Sequence, residues 1–452
     1  MNAFSRRGAC PALSAPMQTG DGLLVRLNPV AGGLAPKALI GLGQSALRHG
    51  NGIMEVTARG SLQIRGLTAE SARLLAAEVD ALGIEVRSGV PVETGPLAGI
   101  DPDEIADPRP LAERIRAAIE EAGLAARLGP KVSVVVDGGG QLAMDAVTAD
   151  VRLKAVRAGT GVAWRVSVSG DAHSARSLAT VDADAARDIA VAALRMVAEK
   201  GREAHTRDLS ERQLNSLAGW HSVAPLSVLP EISLSGRTER GASHKPIGLF
   251  PVAGDSFTLG IGLPYGSMPA QNLIDLARQA SNLGTAEIRL APGRALLFLG
   301  QPATANQPLQ TAAAALGFVT SPADPRTRIA ACPGAPACAS GRIATRAIAE
   351  TIAKQSADLF DTSLTLHISG CAKGCAHPGA AAITLVGDEN GAGLVVDGTA
   401  KALPAGYRPG YDAARGVAAV AAAVRARHAD ETVAACLARL GAAVVAELYR
   451  RD

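Results

Sequence analysis

Four cysteines gathered into 44 residues carry the chemistry of this chain: Cys332-Pro-Gly-Ala-Pro-Ala-Cys338 and then, after room for one helix and one strand, Cys371-Ala-Lys-Gly-Cys375. Two pairs spaced C-x5-C and C-x3-C, each wrapped in Gly, Pro and Ala, suit a backbone that folds thiolates inward around an iron-sulfur cube. Small residues matter because four side chains must converge on an object several ångströms wide while backbone N–H groups reach its sulfurs. Gly334, Gly370 and Gly374 permit that approach. The expectation is one 4Fe-4S cluster and electron-transfer chemistry. Three alternatives use the same thiols: structural zinc, which prefers shorter C-x2–4-C knuckles; disulfides, which need an oxidising compartment that nothing in the chain implies; and unliganded cysteines. Cys10 and Cys436 stand apart and read as buried or incidental free thiols.

The elements that must position these thiols belong to a large soluble-type chain. At 452 residues it is too long for one core and predicts about three domains. It is 48% hydrophobic and 19% charged with 3% aromatics, and its net charge of +3 gives no electrostatic drive toward nucleic acid. Arg6 and Arg7 precede a segment broken by two prolines, which is no signal-peptide core. No apolar run reaches the roughly 18 residues of a membrane helix. The expected location is the cytoplasm, with reduced thiols and no membrane contact.

The chain also repeats itself. Residues 20–84 lie over residues 254–318 at a constant offset of 234 without a gap, matching Leu39-Ile40 to Leu273-Ile274, Leu42 to Leu276, Ala46 to Ala280, Gly50 to Gly284 and Leu82-Gly83 to Leu316-Gly317. An internal duplication explains a register kept this long. In each copy, period-2 apolar residues (Leu23, Val25, Leu27; Phe257, Leu259, Ile261) precede a helical pattern (Leu39, Leu42, Ala46; Leu273, Leu276, Ala280). Two short strands and a second helix follow, and with a closing strand this is βαββαβ, the ferredoxin-like unit. A second match, at offset 232, sets Val132, Val134 and Val136 on Leu364, Leu366 and Ile368, and places Gly139 and Ala143 where the second copy has Cys371 and Cys375. One cluster per chain is therefore expected. The predicted fold class is α+β: two ferredoxin-like half-domains (1–95 and 247–320) forming one pseudo-symmetric module, and two α/β domains (96–209 and 321–452). A connection at 210–246 carries Pro225, Pro230 and Pro246, and two helices close the chain between Tyr411 and Leu448. Gly41-Leu-Gly43 and Asp137-Gly-Gly-Gly140 lack the context of a phosphate loop and read as turns.

This arrangement, with the cysteine pairs in the last quarter, resembles the sulfite and nitrite reductase superfamily over nearly the whole chain. Thr57-Ala-Arg-Gly-Ser-Leu-Gln-Ile-Arg-Gly-Leu67, Gly95-Pro-Leu-Ala-Gly-Ile-Asp-Pro-Asp-Glu104 and Ile368-Ser-Gly-Cys-Ala-Lys-Gly-Cys375 carry the resemblance. It implies sulfite-reductase-like α/β domains and a cleft that holds a tetrapyrrole with eight carboxylates beside the cluster. Reductases of this kind grip sulfite or nitrite above a siroheme iron with a set of basic residues. Arg59 and Lys131 match two of those positions, but Ser133 stands where a sulfite reductase would carry a second lysine, and Val90-Pro91 stands for an Arg-Asn pair. A small oxyanion needs several charge-assisted donors, so anion reduction should be crippled.

The chain is similar instead to the branch of the superfamily that takes the tetrapyrrole as substrate, the precorrin-3B synthases of aerobic cobalamin biosynthesis. That resemblance implies an oxidoreductase, an O2-dependent monooxygenase that hydroxylates precorrin-3A at C20 while a ring A acetate closes a γ-lactone. It also implies precorrin-3A and O2 as substrates, an electron-donor protein or reductase as partner, one 4Fe-4S cluster and a mononuclear non-haem iron. The rivals are a siroheme-dependent sulfite or nitrite reductase and, in another class, a non-enzymatic iron-sulfur or tetrapyrrole carrier.

By the same resemblance Cys332, Cys338, Cys371 and Cys375 are the cluster ligands, with Cys375 facing the tetrapyrrole. Arginine suits bidentate carboxylate binding, so Arg59 and Arg65 around the Gly60-Ser61 turn, Arg294 at the aligned turn of the second copy, Lys131, Lys373 and Arg26 are the expected tetrapyrrole-binding residues. The ordinary alternative for each is a solvated surface cation. A mononuclear iron wants two His and a carboxylate with open positions; His49, His367, His377, Asp101 and Glu104 are the candidates, and its ligands and the catalytic residues stay unassigned.

Overall fold

The computed structural model describes residues 11–30, 32–219, 245–254 and 256–451. Cys10 and most of the 210–246 connection lie outside them.

The first ferredoxin-like half runs β1 (Met17–Thr19), β2 (Gly22–Leu27), β3 (Gly33–Leu34), α1 (Pro36–His49), β4 (Ile53–Val56), β5 (Leu62–Leu67) and α2 (Ala69–Ala81). Helix α1 forms because Leu39, Leu42 and Ala46 share one buried face, and Pro36 sits in the first turn where its missing N–H has no role. Helix α2 opens on a capping box between Thr68 and Ser71. The first α/β domain follows with β6 (Val92–Thr94), α3 (Arg109–Glu121), β7 (Val134–Asp137), β8 (Ala149–Ala158), β9 (Gly161–Gly170), β10 (Arg176–Val181), α4 (Ala183–Lys200) and α5 (Glu211–Ala218). The second copy repeats this order: β11 (Gly248–Val252), β12 (Ser256–Gly262), β13 (Ser267–Pro269), α6 (Ala270–Asn282), β14 (Glu287–Ala291), β15 (Ala295–Leu299) and α7 (Asn306–Ala315). Its α/β domain has β16 (Ile329–Ala331), α8 (Thr345–Gln355), β17 (Leu366–Ser369), β18 (Ala381–Asp388), β19 (Gly391–Gly398), β20 (Gly406–Arg408), α9 (Ala413–Arg425) and α10 (Val433–Arg450).

The described strands form four five-stranded sheets. Each α/β sheet is mixed: β6-β7-β8 and β16-β17-β18 run parallel, and their last strands turn back antiparallel. The two ferredoxin-like sheets are antiparallel, and each takes an edge strand from the other copy. Strand β13 pairs with β4, setting Ser267 against Glu55, and β3 pairs with β14, setting Gly33 against Arg289. Adding 234 to Gly33 gives Ser267 and adding 234 to Glu55 gives Arg289, so the exchange obeys the repeat found in the sequence. One hydrophobic core spans both copies, from Leu39, Leu42 and Leu75 to Leu273, Leu276 and Leu309. Helices α1 and α6 cross tightly, since a Cβ on Gly43 would stand 2.5 Å from the Ile274 side chain.

Three expectations need correction. The closing strand of each βαββαβ unit shrinks to a single bridge, Pro29 to Val86 and Gly262 to Val319, because β1 and β11, the strands ahead of each unit, already pair along β2 and β12 where it would lie. The first boundary lies ahead of Val92 rather than at 95, since β6 pairs with β7. The connection begins after α5, whose Leu214 and Leu217 pack into the first α/β core. Cys436 is buried in the second α/β core, as a free thiol. Among the described residues no helix is long and apolar enough to cross a membrane.

Candidate functional site

The thiols lie where a parallel sheet ends. Strands β16 and β17 run side by side, and Cys332 and Cys371 begin the loops at their carboxyl ends, the position where open α/β sheets bind ligands. The two loops are laced together by backbone bonds from Cys332 N to the Ile368 carbonyl, 3.2 Å, and from Arg342 N to the Gly370 carbonyl, 2.8 Å. The Gly370 N–H donates to Cys332 Sγ at 3.1 Å, the kind of bond that stabilises a ligating sulfur. A Cβ on Gly370 would come within 3.1 Å of the Cα atoms of both Gly334 and Gly341, so the glycines allow the loops to cross. None of the described cysteines is in a disulfide; Cys332 is buried, Cys338 and Cys371 are half-buried and Cys375 is exposed. Partial burial, then the charges of Cys332, Cys371 and Cys338, push the Cys375 thiol up, with Lys373 opposing.

The basic residues fall into distinct roles. Arg294 donates to the Ala376 carbonyl, directly after Cys375, at 3.3 Å. Lys373 donates to Ser340 Oγ at 2.9 Å, joining the two thiol loops. Arg59 is held on the first α/β domain by Glu93, 2.8 Å, and the Thr148 carbonyl, with Ser133 Oγ at 3.5 Å. Arg26 faces Gln63 across β2 and β5 and, with that amide turned, donates to its oxygen. Lys131 is exposed and has no hydrogen-bond or ion-pair partner among the described residues. Arg65 departs from expectation: it is 4% exposed, and its guanidinium is filled by Asp21, Glu55 and the Ala337 carbonyl. It is a brace on the thiol loop rather than a group open to a ligand's carboxylate.

Sequence reasoning missed Arg346 and Arg152. Arg346 pairs with Glu55 yet leaves Nε buried and unpartnered; Arg152, on β8 near Arg59, leaves Nε and Nη1 so. Both follow from side-chain placement alone. His367 is fully buried with neither ring nitrogen partnered, and its ring centroid lies 5.7 Å from that of His377. Burial, then His377 and Arg294, lower its pKa to about 4, so the ring is neutral. His49 is tied to Glu78 at 2.9 Å. Asp101 accepts from Asp103 N and from both Gln141 nitrogens. Among the described residues no three His, Cys, Asp or Glu side chains stand together as ligands of one metal ion, so no ligand set for a mononuclear iron is assigned.

Burial, with the charges of Asp101, Asp107 and Asp137, raises the Glu104 pKa to about 7 against the Gly99 N–H that it accepts. The folded state therefore holds this proton more tightly than the unfolded chain. Stability from it is fully present below about 4.5 and is lost as pH rises through about 7. Glu104→Gln, which keeps an acceptor for Gly99, is expected to raise thermal stability at pH 8 by about 1–2 kcal/mol and to leave it unchanged at pH 4, as read by melting curves at both values.

Three comparisons bear on this geometry. The family description "Nitrite/Sulfite reductase ferredoxin-like half domain" matches residues 15–82. A precorrin-3B synthase of a Sinorhizobium species is 40% identical over 450 residues, covering 99% of this chain and 96% of that protein. The chain belongs to the precorrin-3B synthase family. As a precorrin-3B synthase family member it is an enzyme of the oxidoreductase superfamily, which bears out the resemblance read from its motifs. A ferredoxin–nitrite reductase of Synechococcus elongatus is 24% identical, with 86% of this chain and 81% of that protein aligned. The solved structure of Mycobacterium tuberculosis NirA shares the fold, with a TM-score of 0.72 at 19% identity over 94% of this chain and 84% of that one.

Proposed function

We propose that this chain converts precorrin-3A to precorrin-3B, hydroxylating C20 with one atom of O2 while a ring A acetate closes the γ-lactone, and that Cys332, Cys338, Cys371 and Cys375 hold one 4Fe-4S cluster. The observation that carries the proposal is the pairing of 40% identity over the full length to a precorrin-3B synthase with four thiols in the two loops that follow adjacent parallel strands. The donor set fits the cluster: four free sulfurs on two loops laced together by backbone bonds, a backbone N–H already on one of them, and glycine crossings that leave the loops close. When bound, the cluster would pass electrons from an external donor protein toward the reacting centre. Around it Arg294 holds the Ala376 carbonyl and Lys373 ties the Cys371–Cys375 loop to Ser340, and the exposed Cys375 presents that loop's open side. Lys131, Arg59 and Arg26 lie on elements of the first copy and are the proposed carboxylate contacts.

Ser133 also argues for the oxygenase reading over the anion reductases. It offers a hydroxyl where a second cation would help desolvate an oxyanion. The test is to incubate the reduced, reconstituted protein with precorrin-3A under 18O2. Label in the product is expected; unlabelled product, or brisk reduction of sulfite or nitrite, overturns the reading. Lys131→Ala is expected to raise KM for the tetrapyrrole about tenfold with little change in kcat, as loss of one charge-assisted contact made equally before and during reaction; steady-state kinetics reads the split.

A further inference from the structure

The two ferredoxin-like halves dock crosswise on the α/β domains, and their docking faces differ in kind. In the second copy the face is apolar: Ala291, Ala295, Leu297 and Leu299 pack with Leu97 and Leu142 of the first α/β domain. Nearby backbone bonds join the same parts, from Ala253 N to the Ile100 carbonyl at 2.8 Å. Subtracting 234 carries those four positions to Thr57, Ser61, Gln63 and Arg65. In the first copy, therefore, the same face is polar, although Ser61, Gln63 and Arg65 are all less than 9% exposed.

The centre of that polar face is Arg65. Its Nε and Nη2 donate to Asp21 at 3.0 and 2.9 Å, Nη1 donates to Glu55 at 3.3 Å, and Nη2 reaches the Ala337 carbonyl at 2.7 Å. Ala337 immediately precedes Cys338. Glu55 in turn accepts from Arg346 on α8, the helix that follows the first thiol loop. Gly20 lies against the same loop, where a Cβ would meet Ala339 N at 2.6 Å.

Stability does not account for this network. Replacing a buried ion network by apolar side chains of similar volume is often neutral or stabilising, and the second copy has an apolar side chain, Leu299, at the equivalent position. What separates the two faces is what they touch, since among the described residues only the first meets the loop that carries Cys332 and Cys338. We propose that Arg65 is a positioning residue for the cluster, fixing the Cys332–Cys338 loop through the Ala337 carbonyl so that its two thiols meet the pair at Cys371 and Cys375.

This rests on the cluster reading above, and the experiment separates the two. The full-length chain is reconstituted anaerobically with iron and sulfide beside two variants. One combines Asp21→Asn, Glu55→Gln and Arg65→Leu, which removes the charge of Arg65 and of both its carboxylates together and leaves Arg346 an amide oxygen to donate to; the other is Arg65→Lys, which keeps the charge balance but not the fork. The triple variant is expected to melt, as apoprotein, no lower than the parent, yet to retain less than about a tenth of the parent's iron and sulfide after gel filtration, within the range for lost outer-shell support. Arg65→Lys is expected to take up the cluster and lose it to a chelator several-fold faster, with an altered EPR signal when reduced. A triple variant with parental iron, sulfide and EPR signal overturns the proposal. Should that variant not fold, Arg65→Lys with the parental signal and chelation rate overturns it alone. A parent chain that takes up no iron and sulfide overturns the cluster reading itself, and this proposal with it.

Discussion

Cys332→Ala is expected to abolish the iron-sulfur absorbance and to lower formation of the hydroxylated product by at least about 100-fold, beyond the upper end of what losing an outer-shell partner costs. Cys332 is the most buried of the four thiols and the one that already accepts a backbone N–H, from Gly370. Alanine leaves the β16 end and the Ile368 bond intact, so the apoprotein is expected to keep its circular dichroism and to melt within a few degrees of the parent. Iron and sulfide analysis beside an activity assay checks both halves. Iron near the parental content would remove the four cysteines from the cluster.

Gly20→Val carries the second large effect. The added Cβ would stand 2.6 Å from Ala339 N and 2.8 Å from Cys338 C and the Pro336 carbonyl. All three are backbone atoms, which no rotamer change can move aside. The expected loss is about 3 kcal/mol, the upper end for overpacking, together with failure to retain the cluster, because the loop pushed away carries two thiols. Gly254, the same position in the second copy, meets nothing within 4 Å and has φ +79°. Gly254→Ala should therefore show only the backbone effect, about 1 kcal/mol, with iron content unchanged. Melting curves and metal analysis on the pair distinguish a steric wedge at the thiol loop from a general turn effect.

Much of this was legible in the residues. The cysteine spacing, the offset of 234 and the period-2 and helical patterns located the thiols, the duplication and the main helices and strands of the two ferredoxin-like halves to within a few residues, since each is a local property of the chain. The exchanged strands were not legible: Gly33–Leu34 is two residues long, too short for any periodicity, and its pairing is decided far along the chain, at Ile288 and Arg289 of the other copy. Arg65 was set beside the Gly60-Ser61 turn and expected to bind the tetrapyrrole; its role as a brace was hidden for the same reason, because its partner Ala337 is remote in sequence and an arginine's use depends on what fills its fork. The buried, unpartnered nitrogens of His367, Arg152 and Arg346 leave no mark in a sequence, where burial of a polar side chain is invisible until its neighbours assemble.

The lending of one strand in each direction has a consequence for ancestry. Reciprocal exchange about a twofold axis is what a domain-swapped homodimer makes, so the present chain has the architecture of two subunits fused end to end. Such a dimer would be bound by symmetry to carry two identical pockets. Fusion lifted that constraint: one pocket could keep its thiols and a charged brace, while its twin drifted to glycine, alanine and leucine and became scaffold.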